Sequence, residues 1–192
     1  PVWCSPTDLP SLRQKGLAAE ELRSGSLGLS VERIPSRHGQ GMIGWLMGPV
    51  AGYYLAHPDE PSVYLTSDAV MSEGVLDALS RLRPDLVIAP AGAANFGLGP
   101  SILFTVDELV TLIRKAPHDV LLNHLEALDH CPTTRQALHD RLVKEGLRDR
   151  VHIPSDGETV SFERKNTVAH ATPGPSPAQV PRLQKWVSSL IG

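Results

Sequence analysis

The chain predicts an α/β fold in which a mixed β-sheet is layered with helices. Three observations carry that expectation. The middle of the chain alternates strand, helix, strand, helix, strand, helix, with apolar runs at 62–66, 85–89 and 120–124 separated by segments of helical period. These runs are short and apolar on both faces, as in strands covered by helices on two sides. The earlier and later strands look instead like antiparallel pairs, which makes the sheet mixed.

The elements follow in order. Pro1-Val2-Trp3-Cys4 opens without an initiator Met and reads as the end of a strand, as expected of a fragment, a processed product or part of something longer. Residues 6–16 read as a short helix after Ser5-Pro6-Thr7-Asp8, with Gly16 as its stop. Residues 27–34 alternate as a strand that Pro35 should break. Four glycines, Gly39, Gly41, Gly44 and Gly48, make 39–48 a loop. Residues 50–56 fit a strand and 57–61 a turn. Val75, Leu76, Leu79 and Leu82 give 72–82 a helical period. The strand at 85–89 runs into a long Gly/Pro-rich loop, 90–100. Thr105-Val-Asp-Glu108 is a capping box that opens a helix to Lys115. After the strand ending at His124, a helix at 133–145 is closed by Gly146. Two short strands, 150–153 and 159–162, flank the Ser155-Asp156-Gly157 turn. Residues 1–165 form one domain, 166–180 a linker rich in Pro, Ser and Gly, and 181–192 an amphipathic helix whose Trp186, Val187, Leu190 and Ile191 would dock on the body or on a second subunit.

Composition excludes several classes. Of the 192 residues 41% are hydrophobic and 5% aromatic, so the core must be largely aliphatic. The formal net charge is −3, with both signs interspersed. No basic footprint for nucleic acid exists. No apolar run approaches the roughly 18 residues of a membrane-spanning helix. Two cysteines, Cys4 and Cys131, make no disulfide framework and fit a reduced, cytoplasmic protein.

Three predicted strands each run into a potential metal ligand: His38, Asp68 and His124. Ligands gather outside the carboxyl ends of strands in layered α/β proteins, and a His, Asp, His set suits zinc or a similar divalent ion. Each residue also has a plainer role: a turn residue for His38, a helix cap for Asp68. His130 could orient a ligand or line the pocket, or pack at a helix entry. Cys131 beside it reads as a small buried thiol. Glu126 and Asp129 read as surface charges, and His57, His118, His139 and His152 as structural or exposed. The glycines of 92–99 lack the ending and spacing of a phosphate cradle; Asn95 and Phe96 are the loop residues placed to touch a substrate.

These pieces resemble a known family. Pro35-Ser-Arg-His38-Gly39, the strand from Gly48 to Leu55, Tyr64-Leu-Thr-Ser-Asp68, Pro84-Asp-Leu-Val-Ile88 with Ala91-Gly-Ala-Ala94, Thr105-Val-Asp-Glu108, Asn123-His124, His130-Cys131, Thr134-Arg135 and Pro154-Ser-Asp-Gly-Glu158 occur in one order. In that order they resemble the C-terminal two-thirds of metallo-β-lactamase-fold hydrolases. The ascorbate-6-phosphate lactonase-like and N-acylphosphatidylethanolamine phospholipase-like branch is the nearest. The resemblance implies the C-terminal portion of an αββα sandwich. It makes His38 the third-motif ligand, Asp68 the carboxylate bridging two metals, and His124 the last histidine on the second metal, with Asp68 and His124 the catalytic pair. It implies two divalent ions, zinc or manganese, sharing a hydroxide that attacks a small-molecule lactone, ester or phosphodiester. The chain departs from the family twice. The first motif, H-x-H-x-D-H, is absent from these residues, and Ser67-Asp68-Ala69 stands where the family has Gly-Asp-Thr. The alternative is a non-catalytic or truncated relative that works by binding, as a homo-oligomer or with a missing N-terminal half. A phosphate- or nucleotide-binding α/β domain rests only on the glycine loops and on fold class.

Overall fold

The computed structural model describes residues 1–97, 99–126 and 128–165. The linker at 166–180 and the helix at 181–192 lie outside the described residues. Eight strands and five α-helices are described: β1 (Val2–Cys4), α1 (Leu9–Gln14), β2 (Ala19–Glu21), β3 (Ser30–Arg37), α2 (Gly41–Met47), β4 (Pro49–His57), β5 (Glu60–Leu65), α3 (Glu73–Leu82), β6 (Leu86–Pro90), α4 (Val106–Lys115), β7 (Asp119–Asn123), α5 (Arg135–Lys144) and β8 (Val151–His152). β1 and β2 pair in parallel as a separate two-stranded sheet. The main sheet has the order β3-β4-β5-β6-β7-β8. Its first two pairings are antiparallel and its last three parallel. The sheet is therefore mixed, as expected.

Side-chain alternation explains why the central strands are apolar throughout. Tyr64, Val87, Ala89, Val120 and Leu122 point to one face and join the main core with α3, α4 and α5. Val63, Leu86, Ile88 and Leu121 point to the other face and form a second cluster, against which Leu65 and Phe162 pack. The helices supply matching stripes: Val75, Ala78 and Leu79 on α3; Leu109, Val110, Leu112 and Ile113 on α4; Leu138 and Leu142 on α5. Each begins on a cap. Ser72 accepts from the Val75 amide and Thr134 from the Ala137 amide, and Thr105 and Glu108 form the expected reciprocal box.

Four expectations are corrected. β3 does not stop at Pro35, which pairs with Ala51 in a strand that continues to Arg37. β3 is an edge strand, where a missing N–H costs no ladder bond. Residues 41–47 are a helix, not a loop. Gly44 there serves packing, because a Cβ on it would lie 2.6 Å from the Gly39 carbonyl oxygen. The late strand β8 runs parallel to β7, since the α5 crossover returns the chain to the same end before it pairs. Residues 159–162 form no strand; Phe162 lies edge-on to the His152 ring at 4.8 Å between centroids and covers the second sheet face instead.

The α4 cap is open to test. Thr105 Oγ1 accepts from the Glu108 amide at 3.2 Å while Glu108 Oε2 accepts from the Thr105 amide at 2.8 Å. Thr105→Ala is expected to lower unfolding free energy by about 1 kcal/mol in urea denaturation, with Thr105→Ser recovering most of the loss.

Candidate functional site

The pairing pattern sets a polarity. β3, β5, β6 and β7 all run in one direction, so their carboxyl ends share one edge of the sheet. His38 directly follows β3, Asp68 lies three residues beyond β5, the 91–104 loop leaves β6, and His124 directly follows β7. Backbone hydrogen bonds stitch these exits together. Val70 N–H donates to Arg37 O at 2.9 Å, Ala91 N–H to Asn123 O at 2.9 Å, Asn95 N–H to His130 O at 3.0 Å, and Thr133 N–H to Gly92 O at 3.2 Å.

Both candidate histidines are held through Nδ1. His38 Nδ1 lies 2.9 Å from the Ile102 carbonyl oxygen, a contact that makes Nδ1 the protonated nitrogen and leaves Nε2 with its lone pair. His124 Nδ1 lies 3.6 Å from the Cys131 sulfur. Asp68 is exposed. Non-glycine residues with left-handed backbone cluster on this edge: Ser67 (φ 56°), Ala93 (φ 49°), His124 (φ 55°) and Glu126 (φ 59°). Such conformations each cost on the order of 1 kcal/mol and gather at functional sites. At Ser67 the torsion is one that glycine adopts without strain.

Gly92 brings the β6 and β7 exits together. A Cβ on it would lie 2.5 Å from His124 O and 2.9 Å from both the Cβ and the sulfur of Cys131. Cys131 is buried, as expected. Burial pushes its thiol above the ordinary value, and the negative charge of Asp68 adds to that, so the thiol stays protonated beside His124.

His130 and Asn95 border a second feature. Asn95, Phe96, Gly97, Asp129, His130 and Pro132 line an open recess of about 420 Å³, and the Phe96 and His130 rings are 6.4 Å apart between centroids. Asn95 was expected to touch a substrate, but its amide is used locally: Nδ2 donates to Ala93 O and Oδ1 accepts from Gly97 N–H. Glu126 is not an idle surface charge. Arg135 donates to it from both backbone N–H and Nη1, at 2.7 and 2.5 Å, and reaches Pro154 O at 3.0 Å and Asp156 Oδ1 at 2.6 Å. The Arg135 amide and then its guanidinium hold the Glu126 carboxyl below its usual value. This fork joins the Thr134-Arg135 and Pro154-to-Glu158 motifs, a link that their separation in sequence conceals. Among the described residues, no three His, Cys, Asp or Glu side chains converge closely enough to hold an ion. The donor types nevertheless suit a divalent cation, with Nε2 of His38 turned away from its carbonyl partner, a second imidazole at His124 and an exposed carboxylate on the same edge.

Comparison with known structures gives the fold. The isothiocyanate hydrolase from Delia radicum gut bacteria superposes with a TM-score of 0.77 at 24% identity, over 85% of this chain and 67% of that one. A possible metal-dependent hydrolase from Veillonella parvula DSM 2008 gives 0.74 at 22% identity, over 82% and 65%. The metallo-β-lactamase fold protein YhfI from Bacillus subtilis gives 0.55 at 10% identity, over 79% and 60%. The chain has the metallo-β-lactamase fold. In sequence it is 26% identical over 138 residues to the UPF0173 protein YddR of Bacillus subtilis (strain 168), covering 70% of this chain. The chain spans about half the length of that curated relative, 54%. No protein-family model matches it. Among the described residues no helix is long and apolar enough to cross a membrane.

Two outcomes are expected. Gly92→Ala should cost about 1–3 kcal/mol by overpacking and move the His124 imidazole resonances, read by denaturation and NMR on one sample; unchanged resonances would refute the close approach. The second concerns pH. A thiol with a raised folded value adds stability that is complete below its unfolded value and lost as pH rises through the folded one. Wild type should therefore lose stability above about pH 9 more steeply than Cys131→Ala, compared by urea denaturation at stepped pH.

Proposed function

We propose that this chain forms the catalytic edge of a metal-dependent hydrolase that acts on a small molecule. The reading rests on one observation: His38, Asp68 and His124 leave three co-directional strands at a single sheet edge, with both imidazoles held by Nδ1. In this reading His38, Asp68 and His124 would hold the metal. Zinc or manganese fits such donors. A bound ion supplies a water whose pKa falls to about 7, so that hydroxide exists at neutral pH. Ile102 O and Cys131 fix the ring orientations, as outer partners do for metal-bound histidines. The substrate carries a lactone, ester or phosphodiester group, or another electrophilic centre open to hydroxide. The isothiocyanate hydrolase of the same fold is an instance of the last kind. The activity is proposed for the whole protein, since the relatives are longer than this chain.

Association is a second reading that one observation favours. α2 leaves Met42, Trp45 and Leu46 exposed at 76%, 79% and 68%, side chains usually covered by a partner surface. Light scattering with and without Trp45→Glu would show whether copies associate through it.

The decisive test is metal content by plasma mass spectrometry on full-length protein purified without chelator. One or two bound ions are expected, with His38→Ala, Asp68→Ala and His124→Ala each lowering affinity at least about tenfold. Failure to bind metal after reconstitution, or indifference to all three changes, would end the proposal.

A further inference from the structure

The recess beside His130 has a feature that packing does not explain. Phe96 is 58% exposed, yet the backbone that presents it is held. Asn95 Oδ1 accepts from Gly97 N–H at 3.0 Å, which closes a turn across Phe96. The turn is anchored on both sides. Asn95 N–H donates to His130 O at 3.0 Å, and Ser101 Oγ and Ile102 N–H both donate to Ala94 O, at 2.9 and 2.8 Å. Ala93, two residues before Asn95, holds left-handed backbone. The protein thus keeps a large apolar ring in water on a pre-ordered turn, beside a second ring at 6.4 Å and 31°. Asp129 on the rim adds a carboxylate, which disfavours an anion there.

We propose that Phe96 and His130 form a binding wall for an uncharged aromatic or flat apolar group of the substrate. Taken as part of the hydrolase, the inference rests on the reading in the previous section. His130 is the chain neighbour of Cys131, whose sulfur lies 3.6 Å from His124 Nδ1, so the wall and the candidate histidine belong to one loop. Stacking on such rings is offset or edge-to-face at centroid distances of about 4.5–7 Å. The wall therefore selects for ring shape and against negative charge, and it acts before any chemistry occurs.

The test uses the full chain stripped of metal by chelator, so that it does not depend on hydrolysis. 2-Phenylethanol is titrated while the His130 ring carbon–proton resonances, assigned with His130→Gln, are followed by NMR. Saturable movement at His130 is expected, about fivefold weaker binding with Phe96→Ala, intermediate binding with Phe96→Leu, and markedly weaker binding of phenylacetate. No saturable movement, or equal affinity in Phe96→Ala, overturns the wall. Because Phe96 is exposed, its variants keep the fold. In metal-loaded protein, a phenyl-bearing ester should lose about fivefold in kcat/KM relative to an acetate ester when Phe96 becomes Ala. Binding to metal-free protein with no metal uptake on reconstitution would leave the wall standing and remove the hydrolase, whereas hydrolysis with an unchanged ester ratio would do the reverse.

Discussion

The approach of two loops at Gly92 is the constraint on which the candidate site depends. There the exit of β6 presses against the exit of β7 so closely that a single added carbon would meet a carbonyl oxygen and a cysteine at once. Because that carbonyl belongs to His124, the orientation of the histidine is set by contact and not by its own torsional preference. The same contact seats Cys131 against the imidazole and brings His130 to the recess. Remove the approach and the left-handed torsions at Ala93, His124 and Glu126 lose what over-determines them, since strained backbone persists only where surrounding packing holds it.

Behind the edge lies the reason it can carry this strain. The central strands are buried on both faces, with Tyr64, Val87 and Val120 fully inaccessible, and three capped helices close the larger core. Such a sandwich is close-packed and yields little, so the loops are fastened to a firm base. Arg135 extends that support outward. One guanidinium joins Glu126, Pro154 and Asp156, tying the segment after β8 to the loop that carries the candidate histidine. Asp156 is largely exposed, so each individual bond is modest; the value of the fork is geometric.

Much of this was legible in the residues. The period of α3, the capping box that opens α4, the Gly146 stop of α5 and the apolar runs of the central strands all read correctly because local pattern and tertiary burial agree there. Misreadings came where tertiary context overrode local chemistry. The glycines of 39–48 spoke for a loop, but Gly44 is small so that a helix can sit on the Gly39 carbonyl. Pro35 spoke for a break, but it lies on an edge. The alternation of 159–162 was real, yet it serves Phe162 as a cover and not as a ladder. At the site, His38, Asp68 and His124 were found as strand-end residues, and the sheet gives all three one edge. Their neighbours Gly92, Phe96 and Arg135 act through contacts across the fold, which no spacing encodes. The Asn95 side chain shapes the turn that presents Phe96, a role its place in a Gly-rich loop does not reveal.

The left-handed backbone on the edge also bears on how this protein can change over generations. At Ser67, Ala93, His124 and Glu126, glycine and asparagine are inexpensive replacements, whereas valine, isoleucine and threonine are penalised by the backbone itself. Drift at these positions is therefore channelled toward small and amide side chains. For Ser67 and Ala93 that leaves the chemistry intact. For His124 the constraint is milder, because histidine is itself among the non-glycine residues enriched in left-handed backbone. A copy released from selection on the histidine would drift most readily to glycine, asparagine or aspartate there, each change keeping the backbone and losing the ring.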